Sequence, residues 1–215
     1  MPLILIWIIV FAAVLIIFKF FPSLTRGFTL TIIGEKGKLE VGAKAMAMQP
    51  DRITLTPAEP PVGAAATLVA RLVEAGFRPA GDYSVTEMAG LKIHFTNKPD
   101  ESVMAAVYEH PRAGVWFDMF TRYADGTSYT IATTRAGGNL DPRPGHPVVR
   151  VPGMDPSAAR AQFLRDRPRA AMKTFSNLEM PGMYAAAYAE SMAWRKQHGI
   201  SAAEVQKVGM EKFKG

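Results

Sequence analysis

The residues with most scope for chemistry are four histidines, His94, His110, His146 and His198, and the carboxylates Glu87, Glu109 and Asp118 in a strand-rich stretch. A helical zinc site needs histidines four residues apart, or an HExxH pattern, so that both rings leave one helix face, and no pair here has that spacing. Glu109-His110, just before Pro111, falls at an expected strand end. Together with Asp118 it defines the candidate acid–base site, provided the three side chains converge in a cleft. Solvated strand carboxylates are the simpler reading. His94 alternates with Ile93 and Phe95 and is expected on the polar face of a sheet. His198 beside a helix C-terminus is accounted for by the helix dipole.

Other chemistries lack their sequence requirements. No G-x-S-x-G elbow presents a serine nucleophile, and Gly137-Gly138 stands in no phosphate-loop context. The chain has no cysteine, which removes disulfides, thiolate metal sites, cysteine nucleophiles and CxxCH haem attachment. No catalytic residue, cofactor or metal site is therefore expected. Met180, Met183 and Met192 surround Pro181-Gly182 and are read as core packing ahead of an adaptable partner surface.

The elements that would hold these residues follow from periodicity. Phe28–Ile33 and Lys38–Met48 read as a small strand pair, and Arg52–Thr56 as a third strand. Thr56-Pro57-Ala58-Glu59 has the look of a helix start, although Pro60 and Pro61 oppose continuation. A helix over about 64–75 carries Ala65, Leu68, Val69, Leu72 and Val73 at helical spacing, closed by Gly76 in the left-handed region with Phe77 against it.

A meander follows, with strands expected at Tyr83–Met88, Leu91–Thr96, Val103–Glu109, Val115–Tyr123 and Thr127–Thr134. Ala124-Asp125-Gly126 turns the last hairpin. Along Val115–Tyr123 one face is apolar, whereas the other, with Trp116, Asp118, Phe120 and Arg122, is only half polar and calls for a second covering layer. Residues 135–153 are rich in Gly and Pro, with a short strand at Val148–Val151. Asp155-Pro156 caps a helix to about Asp166. Met183–His198 forms another, and Ser201-Ala202-Ala203-Glu204 is a capping box for the last.

Before all of this stands a run of seventeen residues, Pro2–Phe18, without a charge, closed by Lys19, Phe20, Phe21 and Pro22. Spanning about 30 Å of hydrocarbon takes roughly 20 apolar residues, so the run is just long enough with Lys19 snorkelling to the interface. The bulky residues after it disfavour signal-peptide cleavage, and the absence of a polar face from Leu3 to Phe18 disfavours a buried core helix. Lys19, Arg26, Lys36, Lys38 and Lys44 all follow the span, so the positive-inside rule puts the N-terminus outside and the body in the cytoplasm. Trp7 suits an interfacial anchor, and Ala12-Ala13 is the small-residue patch where a partner helix can approach. The expected location is the inner membrane, single-pass.

The fold class expected is α+β: an N-terminal transmembrane helix, an antiparallel meander domain with flanking helices, and a helical C-terminus. The corresponding segments are 1–22, 23–56, 57–153 and 154–215. A net charge of +6 is moderate. Arg165, Arg167 and Arg169, with Tyr184, Tyr188 and Trp194, are expected to offer a partner surface. The basic residues lack the dense stripe that nucleic acid requires, so no nucleic acid is expected. The partners expected are the bilayer and integral membrane subunits.

The layout of one N-terminal span, an Ala124-Asp125-Gly126 hairpin and a helix after Pro152-Gly153-Met154 loosely resembles a group of uncharacterised bacterial single-span membrane proteins. That resemblance implies an α+β soluble domain and no catalytic residues. The order of strand, helix, meander and terminal helix also resembles the helix-grip binders of apolar ligands. These features favour a non-catalytic accessory or scaffold subunit of a larger membrane complex, respiratory or photosynthetic. The alternatives are a membrane-tethered binder of lipid or another apolar ligand, walled by Phe117, Met119, Tyr129, Tyr184 and Tyr188, and an enzyme using the Glu109/His110/Asp118 site.

Overall fold

In the computed structural model, residues 49–134 and 140–205 are described. The chain divides into two compact units. One is the body formed by Gln49–Gly137 and Asp141–His198, and the other takes in Met1–Met48, Gly138–Leu140 and Gly199–Gly215. The expected span and the strands at 28–33 and 38–48 lie outside the described residues. No helix among the described residues is long and apolar enough to cross a membrane. In the second unit, Ser201 N donates to Glu204 Oε2 at 2.9 Å and Glu204 N to Ser201 Oγ at 3.2 Å, the reciprocal capping box expected there.

The body is α+β. Its strands are β1 (Leu55–Pro57), β2 (Arg78–Val85), β3 (Lys92–Lys98), β4 (Val103–His110), β5 (Gly114–Arg122), β6 (Ser128–Ala132) and β7 (Val148–Arg150), forming one sheet in which spatial order follows chain order. The helices are α1 (Gly63–Glu74), α2 (Pro156–Asp166) and α3 (Met180–His198). The five meander strands are present, four of them within two residues of their expected ends; β2 is displaced, running Arg78–Val85 where Tyr83–Met88 was expected. Every neighbouring pair from β1 to β6 is antiparallel, but β7 lies parallel to β6. The Pro-rich connection sets this up before β7 begins: Ser128 N and Thr130 N donate to Gly145 O and Pro147 O, so the chain re-enters alongside β6 in the same direction.

The expected helix start at Thr56-Pro57 is instead strand. Thr56 pairs with Ser84 across the β1–β2 ladder and its Oγ1 lies 2.9 Å from Ser84 Oγ. Pro57 is tolerated because β1 is an edge strand, which needs only one side of its ladder. The helix begins after Pro60-Pro61, at Gly63.

The end of α1 follows its sequence closely. Gly76 takes φ +92°, Phe77 N donates to Leu72 O and Gly76 N to Val73 O, which is the Schellman pattern. Phe77 is then buried in the core beside Leu72. Replacing Gly76 by Ala forces a side chain into the left-handed region, with its Cβ 3.0 Å from Lys98 Nζ, a group that can swing away. The expected cost is about 1 kcal/mol, read as a lower urea midpoint at unchanged slope.

Two apolar clusters sandwich the sheet. On one face α1 and α2 bring Ala65, Leu72, Ala159 and Phe163 onto Val103, Ala105, Val107, Phe117, Met119 and Ile131. On the other face α3 brings Met180, Met183, Tyr184 and Tyr188 onto Ile93, Phe95, Met104, Ala106, Tyr108, Trp116 and Phe120. This is the second layer that the half-polar face of β5 called for. Met180 and Met183 serve as packing here. Ala105 and Ala106, adjacent on β4 and fully buried, let both layers approach the sheet closely.

Helix α2 starts at its expected cap, Asp155 accepting from Ser157 N at 2.9 Å. Helix α3 starts three residues earlier than expected. Ser176 and Glu179 form a further capping box, Ser176 N donating to Glu179 Oε2 and Glu179 N to Ser176 Oγ, and this extends the helix back to Met180.

Candidate functional site

The first cluster of polar side chains lies on the α1 side of the sheet. Asp82 on β2 faces His94 on β3 in register, and Glu109 on β4 stands two residues past His94's partner Val107 on the same face. His94 Nδ1 lies 2.8 Å from Asp82 Oδ1, and Nε2 lies 3.7 Å from Glu109 Oε2. An ionised carboxylate only accepts, so Nδ1 carries the proton of the first contact. The second exceeds hydrogen-bond range, and both Nε2 and Oε2 are buried without a hydrogen-bond partner. With Nε2 protonated, the ring bridges two carboxylates; without that proton, its lone pair faces one. His94 was expected on the polar face of the sheet. It is instead 1% exposed, because β3 is covered on both faces.

The second cluster lies on the opposite face, beneath α3. Tyr108 on β4 stacks on Trp116 of β5, ring centroids 5.1 Å apart, and its hydroxyl lies 2.9 Å from that of Tyr184. Asp118 occupies the same face of β5, opposite Ala106. Burial pushes its carboxyl up to about 7, against the opposing pull of the Arg150 charge, the Thr133 backbone N–H and the Tyr108 hydroxyl. Its Oδ1 is buried without a hydrogen-bond partner. Burial, together with the neighbouring Tyr184 and Asp118, raises the Tyr108 phenol well above its usual range. Asp118 can therefore hold or lose a proton near neutral pH while both tyrosines stay protonated.

A third, more exposed network ties α3 down. Glu190 Oε2 receives Arg122 Nη2 and Arg143 Nη2, each at 3.2 Å. Burial works to raise this carboxyl, but the two arginines outweigh it and the net shift is downward. Arg143 also donates to His146 Nε2, and His146 Nδ1 lies 2.8 Å from Ser128 Oγ. An arginine only donates, so His146 Nε2 is an acceptor and the ring is neutral there. Burial, then the charges of Arg143 and Arg122, lower its pKa in agreement.

The candidate acid–base site does not assemble. Glu109 points to the α1 side of the sheet and Asp118 to the α3 side, with the sheet between them. His110 Nδ1 accepts from Arg112 N and Ala113 N at 3.2 Å each, closing the β4–β5 turn. Glu87 sits in the β2–β3 turn, its carboxyl lowered by hydrogen bonds from the Thr54 backbone N–H and hydroxyl. The expected apolar walls are divided in the same way: Phe117, Met119 and Tyr129 face α1 and α2, whereas Tyr184 and Tyr188 face the other side. Phe117 does line a cleft of about 290 Å³, with Leu68, Val115 and Met154 as apolar neighbours and Arg71 and Asp155 among its polar ones.

The residues expected to form a partner surface are sorted by the fold. The Tyr184 hydroxyl meets that of Tyr108, and Tyr188 donates to Pro50 O at 3.1 Å, so both help dock α3 on its own body while remaining partly exposed. Arg167 donates to Glu101 O and lies over the Phe163 ring. Arg165 pairs with Asp166, Arg169 is exposed, and Trp194 stacks on His198 with Arg195 over its ring. Residues Leu3, Trp7, Ala12, Ala13, Phe18, Lys19, Phe20, Phe21 and Arg26 lie outside the described residues.

Asp82, Tyr108, Arg143 and Glu190 were missed as site residues. The hairpin register contained the signal for Asp82, since a turn centred near Met88 sets it opposite His94. Among the described residues, no group of three or more His, Cys, Asp or Glu side chains is placed to hold a metal ion. Comparison with known proteins gives no match to a family model, to a curated protein or to a solved structure.

Proposed function

We propose that this chain is a non-catalytic accessory subunit of a larger membrane protein complex, anchored by Leu3–Phe18 and carrying its α+β body on the cytoplasmic side of the inner membrane. The observation that carries this reading is the uncharged run Pro2–Phe18 followed by Lys19 and Arg26. A charge-free stretch of that length inserts readily, and the bases that follow hold the body on the cytoplasmic side. The body supports it too. Its buried polar groups are divided between two faces of one sheet, an arrangement that suits a rigid body better than a converged reaction centre. Energy-transducing assemblies, respiratory or photosynthetic, are the setting proposed.

Extraction of native membranes in mild detergent, followed by sizing and mass spectrometry, tests the reading. The expected result is co-migration with a large complex at fixed stoichiometry. Replacing Ala12 and Ala13 by Leu is expected to reduce that co-purification while insertion persists, because the bulkier side chains hold a neighbouring helix away. Migration as a lone protein overturns the reading. In that case the second reading, a tethered binder of lipid or another apolar ligand, is to be sought by native mass measurement.

A further inference from the structure

The connection between α2 and α3 is exposed yet held in place. Ala124 N donates to Ala171 O at 2.8 Å, Lys173 N to Arg122 O at 2.8 Å, and Tyr123 OH to Pro168 O at 2.9 Å. Met172 forms an antiparallel bridge with Tyr123. Farther on, the Ser176/Glu179 capping box and a side-chain bond from Asn97 to Asn177 fix the turn that carries Leu178. Within that fixed turn Leu178 is 93% exposed, and Met172 is 37% exposed. A large aliphatic side chain held in water by an ordered turn gains nothing for the fold.

The charges around it are mostly basic. Between residues 165 and 179 stand Arg165, Arg167, Arg169 and Lys173 against Asp166 and Glu179. Asp166 and Arg165 offset one another, whereas Glu179, held by Ser176 and near Lys173, keeps its charge, so the connection carries a net two positive charges. Arg169 and Lys173 are exposed, and Lys173 lies 5.2 Å from the Phe175 ring centroid. Exposed bases in the same short connection as a projecting leucine match a surface with an anionic skin over an apolar layer.

We infer that this connection, through Arg169, Lys173 and Leu178, contacts the anionic headgroups of the bilayer to which the chain is tethered. The inference rests on the membrane anchor proposed above. The bases meet the lipid phosphates and Leu178 enters the headgroup boundary, so the body is held against the membrane by a second, electrostatic contact. One acyl chain or one apolar group alone gives only marginal membrane binding, and pairing it with bases is what makes such a contact persist.

The test uses the full chain in lipid nanodiscs. Because the chain has no cysteine, Leu178→Cys offers a unique site for a polarity-sensitive fluorophore. Retention of the chain on the discs at high salt reads the anchor separately from the contact, and its loss overturns the anchor itself. The expected fluorophore result is a blue shift in discs containing phosphatidylglycerol, absent in pure phosphatidylcholine and reversed by salt. Exchanging Arg169 and Lys173 for Gln lowers the contact equilibrium constant about 30-fold, each base near an anionic surface being worth roughly a factor of five. With the chain retained on the disc, a water-like signal in both lipids overturns the inference, as does an equal shift in both. Protection seen only in native membranes also overturns it and assigns the turn to a protein partner.

Discussion

Replacing Asp118 by Asn stabilises the body at pH 8 and leaves it nearly unchanged at pH 4. The carboxyl is pushed up to about 7 in the folded protein, chiefly by burial. In the unfolded chain it titrates near 3.9. Below that lower value both states carry the proton and the group is neutral in the balance. As pH rises toward 7, the unfolded chain releases the proton while the folded one retains it, so wild-type stability falls with pH; above 7 the loss is complete. The full cost is on the order of 4 kcal/mol, about 1.4 kcal/mol for each unit separating the two values. Asn never ionises and lacks this slope. Any packing or hydrogen-bond penalty of the amide is the same at every pH and cancels from the comparison. Urea unfolding of both proteins at pH 4, 6 and 8, followed by far-UV circular dichroism, should give a difference that widens with pH. Parallel profiles would show that Asp118 is solvated.

The same residue marks the limit of what the sequence could disclose. The alternation along β5 correctly set Asp118 on the half-polar face and required another layer over that face. It did not reveal which segment supplies the layer, since α3 has no strong apolar stripe: Tyr184, Tyr188 and its alanines read equally well as an outward surface. That ambiguity is why the sequence reads the tyrosines as a partner surface and gives no sign that they pack on this sheet face. Elements with local chemical signals were legible. Gly76-Phe77 closes α1, Asp155-Pro156 opens α2, and Asp125-Gly126 turns the β5–β6 hairpin, Gly126 lying at φ +87°. What depends on pairing at a distance was not legible. The parallel entry of β7 rests on bonds from Ser128 and Thr130 to residues more than fifteen positions away. His94 needed the β2–β3 register before Asp82 could be seen beside it.

Helix α2 gives the second large effect, because so little holds it. Its fully buried apolar residues are Pro156, Ala159 and Phe163, with Leu164 packed half-buried on the same core, and Phe163 is the largest side chain among them. The ring is 0% exposed and meets Tyr129 at 5.3 Å between centroids, tilted by 60°. Arg160 adds a paired contact to Glu101 that is partly exposed. Exposed or half-exposed pairs contribute at most about 1 kcal/mol. Truncating Phe163 to Ala removes both the transferred area and the packing, and the expected loss is about 3–5 kcal/mol. That is a large share of the roughly 5–15 kcal/mol that holds a typical domain folded. Leu178→Ala is the control: the same class of side chain, exposed in the turn before α3, should change the unfolding free energy by less than about 0.5 kcal/mol. If the Phe163 variant melted like wild type, α2 would be packed on something other than its single aromatic. A destabilised Leu178 variant would mean that the turn is buried in solution. The contrast follows from burial alone, since hydrophobicity scales rank leucine and phenylalanine together and give no warning that one of them is nearly inert.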